Sequence, residues 1–341
     1  MKIPSSKKYL VPAAIGLLLV LGLTCYFFFS SVSTLNETHY LYIDEDDTQD
    51  SVIAKIKPYA SPAGIAGLQT MLRHGNYSEQ IKTGRYAIKP GEGAITIYRH
   101  LKNGMQESMK LTIPESRTMD RLASYLSKKL MIDSATIASA LYSQEICSKY
   151  GYDTCTIPAM FVPNTYDIYW NVSLDGLLER MQKEHDRFWN SERMAKANQR
   201  NMTSNEVATL ASIIDEETAN TAEKPMIAGM YINRLRQNMP LQADPTIKFA
   251  LKDFALKRIY NNMLRINSPY NTYANEGLPP GPIKIASIKG IDAVLNAVDH
   301  EYLYMCAKED FSGTHNFAKT YAEHLKNAAK YTKALNEKCI K

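Results

Sequence analysis

Asp215-Glu216-Glu217 stands where an apolar helical pattern ends, and it is the run of residues most able to do chemistry. Thr203-Ser-Asn-Glu206 before it has the form of a capping box, in which Thr and Glu each satisfy the other's free amide. A helix that starts there puts Val207, Leu210, Ala211, Ile213 and Ile214 on one arc. With Val207 at zero and about 100° per residue, Asp215 falls near about 80°, Glu216 near about 180° and Glu217 near about 280°. Glu217 therefore shares the apolar arc, between Ile213 and Leu210. A carboxyl in an apolar wall holds its proton to higher pH, because burial disfavours the charged form. That is what a general acid in glycoside cleavage needs. The same geometry also fits a plain helix end whose acid pairs with a nearby Lys or Arg.

The sequence around this helix carries further blocks. Leu210-Ala-Ser-Ile-Ile-Asp-Glu-Glu217-Thr218 is followed by Glu223-Lys-Pro-Met-Ile-Ala-Gly-Met-Tyr-Ile-Asn233-Arg234-Leu235 and by Met239-Pro-Leu-Gln242-Ala-Asp244-Pro-Thr246. Tyr270-Asn-Thr-Tyr273, Gly277-Leu-Pro-Pro-Gly-Pro-Ile283, Tyr302-Leu-Tyr304 and His315-x-Phe317 come later. Together, and in this order over about 205–325, they resemble the MltG/YceG family of endolytic murein (peptidoglycan) transglycosylases. Thr83-Gly-Arg-Tyr86 and Phe161-Val-Pro-Asn-Thr-Tyr166 extend the resemblance more thinly toward the amino end.

The resemblance implies a catalytic Glu in the Glu-Thr pair, here Glu217. It implies cleavage between N-acetylmuramic acid and N-acetylglucosamine, with Glu217 as acid and then base. The sugar's own C6 hydroxyl captures the oxocarbenium-like centre, so the product ends in 1,6-anhydro-muramic acid and one carboxylate suffices where ordinary glycosidases use two. The expected class is a lyase with no cofactor. Asp215-Glu216 departs from the family's usual Glu-Lys, and the extra negative charge is expected to raise the Glu217 pKa further. His315-Asn-Phe317 replaces the usual His-Thr-Phe.

Candidate substrate contacts are the polar residues of the blocks. Asn233 and Arg234 precede a helix end, where capping and pairing with Asp244 competes with sugar contact. Gln242 and Asp244 flank a Pro-limited turn, and Thr246 can cap the next helix instead. Tyr270, Asn271 and Tyr273 read as a loop of stackers and amide donors. Pro279-Pro-Gly-Pro282 is a stiff loop that shapes the cleft. His315 and His324 have no matching third ligand, so no metal is expected.

The elements that position these residues follow a membrane anchor. The stretch 9–32 has no charge and is long enough to span a bilayer. Bulky Tyr26 to Phe29 occupy the place where a signal peptide would be cut, so an uncleaved anchor is expected. Lys2, Lys7 and Lys8 keep residues 1–8 cytoplasmic. The expected location is a bacterial inner (cytoplasmic) membrane, single-pass, with the rest on the periplasmic side. Cys147, Cys155, Cys306 and Cys339 then lie in an oxidising place, where Cys147 with Cys155 could close a small loop; four cysteines leave three connectivities open.

The expected fold is α+β: the transmembrane helix, a small α+β domain over 39–113, and a mainly helical mixed α+β catalytic domain over 114–341. The family resemblance makes the small domain LysM-like. Its expected elements are strands at 39–43, 84–88 and 109–113 and helices near 49–57, 63–73 and 94–102. Gly91-x-Gly93 lacks the third glycine of a dinucleotide fingerprint and reads as a turn. Helices are expected at 119–130, 133–142 and 174–189, with a polar stretch over 190–201.

Composition is ordinary for a globular chain of 341 residues, 45% hydrophobic and 22% charged. The net charge is +5, and outside the three leading lysines about +2, which leaves no nucleic-acid footprint. Tyr is abundant, 22 against 9 Phe and 2 Trp, which suits sugar stacking and half-buried packing alike. The expected partners are peptidoglycan glycan strands, the membrane, and, by resemblance, peptidoglycan synthases. A glycan-binding scaffold without activity, and a hydrolase using water with Asp215 or Asp244 as base, remain the alternatives.

Overall fold

A computed structural model describes residues 7–256 and 258–337, so Lys2 and Cys339 lie outside the described residues. The chain is α+β and forms two compact units.

The first unit holds residues 7–111 with two short returns, 129–131 and 167–172. It opens with α1 (Lys7–Phe29), whose stretch Tyr9–Phe29 is the one described helix long and apolar enough to cross a membrane. Then come β1 (His39–Ile43), α2 (Gln49–Ile56), α3 (Pro62–His74), β2 (Gly84–Ile88) and α4 (Ala94–Asn103). Strands β1 and β2 pair antiparallel, from His39 opposite Ile88 to Ile43 opposite Gly84. Alternation turns Leu41 and Ile43 inward onto Val52, Ile56, Leu68, Ile97 and Leu101. The end of α1 lies against α3 at Gly67, where an added Cβ would come 2.0 Å from the Phe27 carbonyl oxygen. The Gly91–Gly93 segment forms the turn between β2 and α4.

The boundary between the units falls within β3 (Met109–Thr112) and β4 (Thr165–Ile168). The second unit carries α5 (Met119–Ser127), α6 (Ser134–Leu141), α7 (Gln144–Lys149), α8 (Leu174–Phe188), α9 (Ser191–Gln199), α10 (Ser204–Glu217), α11 (Lys224–Arg236), α12 (Asp244–Leu251) and α13 (Ile288–Leu295). A hairpin, β5 (Tyr304–Ala307) and β6 (His315–Ala318), and α14 (Tyr321–Glu337) complete it. Most of the polar stretch 190–201 forms helix α9. Asn190 caps α9 through its side chain, and Ala197 is the helix's one fully buried residue, so no apolar stripe announces it.

Helix α10 runs through the core of this unit. The expected capping box is present, with the Thr203 amide donating to Glu206 at 2.7 Å and the Glu206 amide donating to Thr203 Oγ1 at 3.2 Å. Every residue from Val207 to Ile214 is buried, so the helix has no solvated face over that stretch. The hydroxyls it buries are satisfied locally: Thr209 donates to the Asn205 carbonyl and Ser212 to that of Thr209, both at 2.7 Å. Ser212 Oγ also accepts from the Ile283 amide at 3.0 Å, which ties the Pro-rich loop to α10.

Asp215 fixes the far end of α10. Its carboxylate accepts from Lys224 Nζ at 2.5 Å, from the Ser287 amide at 2.7 Å and from the Ser287 hydroxyl at 2.8 Å. Ser287 is also the N-cap of α13, so one buried acid joins α10, α11 and α13. Gly290 permits the approach, since an added Cβ would sit 2.5 Å from Asp215 Oδ1. Removing one partner of such a buried pair leaves a charge uncompensated. Asp215→Ala is therefore expected to destabilise the second unit by about 3–5 kcal/mol. Urea unfolding of the variant measures it, and a change below about 1 kcal/mol would contradict the clamp.

Candidate active site

Beside the end of α10 lies a cavity of about 350 Å³. Glu217 forms part of its wall, with Tyr231 and Arg234 from α11, Gln242 and Asp244 before and at the start of α12, and Tyr273 from the loop that follows. Tyr304 from β5, His315 from β6, and Tyr321 and His324 from α14 close the other side.

Glu217 is the last residue of α10, and Thr218 leaves the helix in an extended conformation at φ −144°. Burial pushes the Glu217 pKa from the usual 4.5 up to about 7, and the charge of Asp244 adds to the rise. Tyr231 works the other way: its hydroxyl donates to Glu217 Oε1 at 2.8 Å and favours the carboxylate. His315 and Lys248 pull in the same direction as Tyr231. The charge that assists burial is thus Asp244 rather than the neighbouring acids that the sequence suggested. Asp215 is turned into its clamp, and Glu216 is bound by Arg117 at 2.7 Å and lies 3.5 Å from Lys284.

Five of the sequence candidates share the cavity: Glu217, Arg234, Gln242, Asp244 and Tyr273. Arg234 is nearly buried, and its guanidinium is held by the Pro240 carbonyl (2.6 and 2.9 Å), the Leu303 carbonyl (3.0 Å) and Gln242 Oε1 (2.8 Å). The anticipated partner, Asp244, instead accepts from the Tyr273 hydroxyl at 2.6 Å. Burial and that acid push the Tyr273 pKa upward.

Asn233, Thr246, Tyr270 and Asn271 are not in the cavity lining. The Asn233 amide donates to the carbonyls of His300 (2.6 Å) and Tyr302 (3.1 Å). Thr246 is fully buried and donates to the Ala243 carbonyl at 2.7 Å. The Asn271 amide donates to the Leu264 and Ile266 carbonyls, both at 2.9 Å. Tyr270 packs on Phe249, ring centres 4.6 Å apart. These residues shape the backbone around the cleft.

Sequence reasoning did not single out Tyr231, Tyr304 or Tyr321, nor His315 and His324 as neighbours of Glu217. Tyr231 sits on the helix after Glu217, where no periodicity marks it. Its signal was its place in the Met-Tyr-Ile-Asn233 block. His315 reaches the cavity through the hairpin, where it stands opposite Ala307. Among the described residues no group of three or more His, Cys, Asp or Glu is arranged to hold a metal ion. Cys147, Cys155 and Cys306 are free, and Cys147 is buried inside the second unit.

The model of the YceG-like family matches residues 41–330. An endolytic murein transglycosylase of Bacillus subtilis (strain 168) is 27% identical over 331 residues, covering 86% of this chain and 88% of that protein. The protein of the same name from Streptococcus pneumoniae serotype 2 (strain D39 / NCTC 7466) is 27% identical over 289 residues, covering 76% of this chain and 52% of its own length. A crystal structure of a yceG-like protein from Listeria monocytogenes superposes with a TM-score of 0.55 at 25% identity, over 86% of this chain and 99% of that one. A match that runs through both units, on either side of the cavity residues and the Glu217 helix, shows that the chain belongs to the YceG-like family.

Proposed function

We propose that the protein is an endolytic peptidoglycan lytic transglycosylase that cleaves between N-acetylmuramic acid and N-acetylglucosamine and leaves 1,6-anhydro ends. One observation carries this reading: a carboxyl held near pKa 7 by burial in the wall of an open cavity. Near neutral pH a large share of Glu217 is protonated, and the rest is the conjugate base. A group poised there can both give and accept a proton in one cycle. Glu217 donates to the glycosidic oxygen as the bond to C1 breaks. The C6 hydroxyl of the same sugar closes on C1, and the Glu217 carboxylate receives its proton. The relatives named endolytic murein transglycosylase support the same class.

Asp244 favours one second reading. It is another carboxylate of the same cleft, and its charge acts on Glu217. In a hydrolase it would activate water, and the product would carry reducing ends.

The apolar helix supports a single-pass anchor in the cytoplasmic membrane, with the chain after about residue 33 on the outer side. Residues 39–113 then serve as a LysM-like module that binds or places glycan strands, and synthases that make those strands are natural neighbours. If so, deleting 39–113 weakens sedimentation of the protein with insoluble peptidoglycan while some turnover remains; unchanged sedimentation would remove the binding role.

Glu217→Gln is expected to lower release of anhydro ends by at least about 10³-fold, read by mass spectrometry of digested glycan. Wild-type release by the variant would overturn the assignment. The same substitution should stabilise the fold. Because the folded-state pKa of about 7 lies above the ordinary 4.5, raising the pH between them costs the native state stability. The variant's Tm should therefore exceed the wild type's above pH 7 and match it below pH 4.5. Tyr231→Phe removes a hydrogen bond that favours the carboxylate. The alkaline limb of kcat/KM should move up by about one pH unit. A limb that stays in place or moves down would show that Glu217 is not the group titrating.

A further inference from the structure

The cleft contains a second proton-handling arrangement that the single-carboxylate scheme leaves unused. Glu223, the N-cap residue of α11, is buried; both of its oxygens meet His315, and Oε2 also accepts from the Thr218 hydroxyl at 3.5 Å. Oε1 accepts from the His315 amide at 2.6 Å, and Oε2 lies 2.9 Å from His315 Nδ1. A carboxylate only accepts, so Nδ1 carries the hydrogen, and Nε2 is the nitrogen left to take up and release a proton. Nδ1 and Nε2 stand on opposite sides of the imidazole. With Nδ1 on Glu223, Nε2 is the nitrogen free to face the cavity that His315 lines together with Glu217. The two are close enough for a positive charge on the His315 ring to favour the Glu217 carboxylate. A buried acid that fixes the tautomer of a cleft histidine is the arrangement that makes imidazole a general base.

We infer that His315 is a catalytic residue that takes the C6 hydroxyl proton, and that Glu223 is its positioning residue. The inference rests on the transglycosylase reading above and refines its last step. The C1–oxygen bond breaks as the leaving oxygen takes the Glu217 proton. The C6 oxygen bonds to C1, and its proton goes to His315 Nε2. The imidazolium, neutralised by Glu223, then returns that proton to the Glu217 carboxylate. Both groups end as they began, and no water is consumed.

The test uses the full chain in detergent with purified glycan strands. His315→Asn keeps an amide donor for Glu223 and removes Nε2. It should lower kcat for anhydro-end formation about 10²-fold or more with KM little changed. Glu223→Gln should lower kcat about tenfold or more, because the ring is no longer held in one tautomer. Nitrogen-15 NMR of histidine-labelled protein should show a protonated Nδ1 and a bare Nε2 for His315 in the wild type, and a mixture of tautomers in Glu223→Gln. Circular dichroism separates these effects from unfolding. Equal kcat in wild type and His315→Asn, a loss confined to KM, or a wild-type His315 protonated on Nε2 alone would each overturn the relay. A wild-type protein that releases no anhydro ends would bring down the transglycosylase reading and the relay with it. Anhydro ends released equally by wild type and His315→Asn would bring down the relay alone.

Discussion

The rotation of about 100° per residue at the end of α10 governs the site. It sends three successive acids in three directions, and each meets a different environment. Asp215 turns to Lys224 and Ser287 and locks three helices together. Glu216 turns to Arg117 and stays a half-buried surface pair. Glu217 turns into the cavity, where among the described residues no Lys or Arg pairs with it directly and a phenol is its hydrogen-bond partner. Two of the acids are neutralised in place, and the third is left to titrate. The same three residues in a strand would alternate between only two faces.

The clamp and the cavity depend on each other. A carboxyl with a raised pKa stores unfavourable free energy in the fold above neutral pH, and something rigid must hold it there. The fully buried stretch Val207–Ile214 and the Asp215 clamp supply that rigidity. The opposite wall comes from distant parts of the chain: α11, the approach to α12, the Tyr273 loop, the hairpin and α14. Arg234 links several of them, since one guanidinium joins the carbonyls of Pro240 and Leu303 to the Gln242 side chain. Its charge therefore serves the shape of the cleft as much as any ligand.

The first unit is built on different terms. Its core is a two-stranded sheet with short helices packed on it, and the apolar helix α1 meets α3 through a glycine. Arg85, opposite Tyr42 in the register, lies over the Tyr40 ring at 3.5 Å, so even its strand arginine is used in packing. Part of the chain's abundant tyrosine thus serves packing in this unit.

Local sequence was enough to determine the capping box, the strands 39–43 and 84–88, the apolar membrane-length helix, and the inward turn of Glu217. Each follows from spacing within a dozen residues or so, where helical and strand periods act directly. The family resemblance was also legible, because its blocks keep their order along the chain. Tertiary structure alone decided which polar residues share the cleft. Asn233 and Arg234 are neighbours in sequence, yet Asn233 faces backbone carbonyls and Arg234 lines the cavity. Tyr231 and His315 meet Glu217 only because a second helix and a hairpin fold back onto the first. Such encounters depend on long-range packing, and no local period encodes them. The fate of the three acids was decided in the same way: the helix set their directions, but only the folded neighbours determined which would be paired and which left to hold a proton.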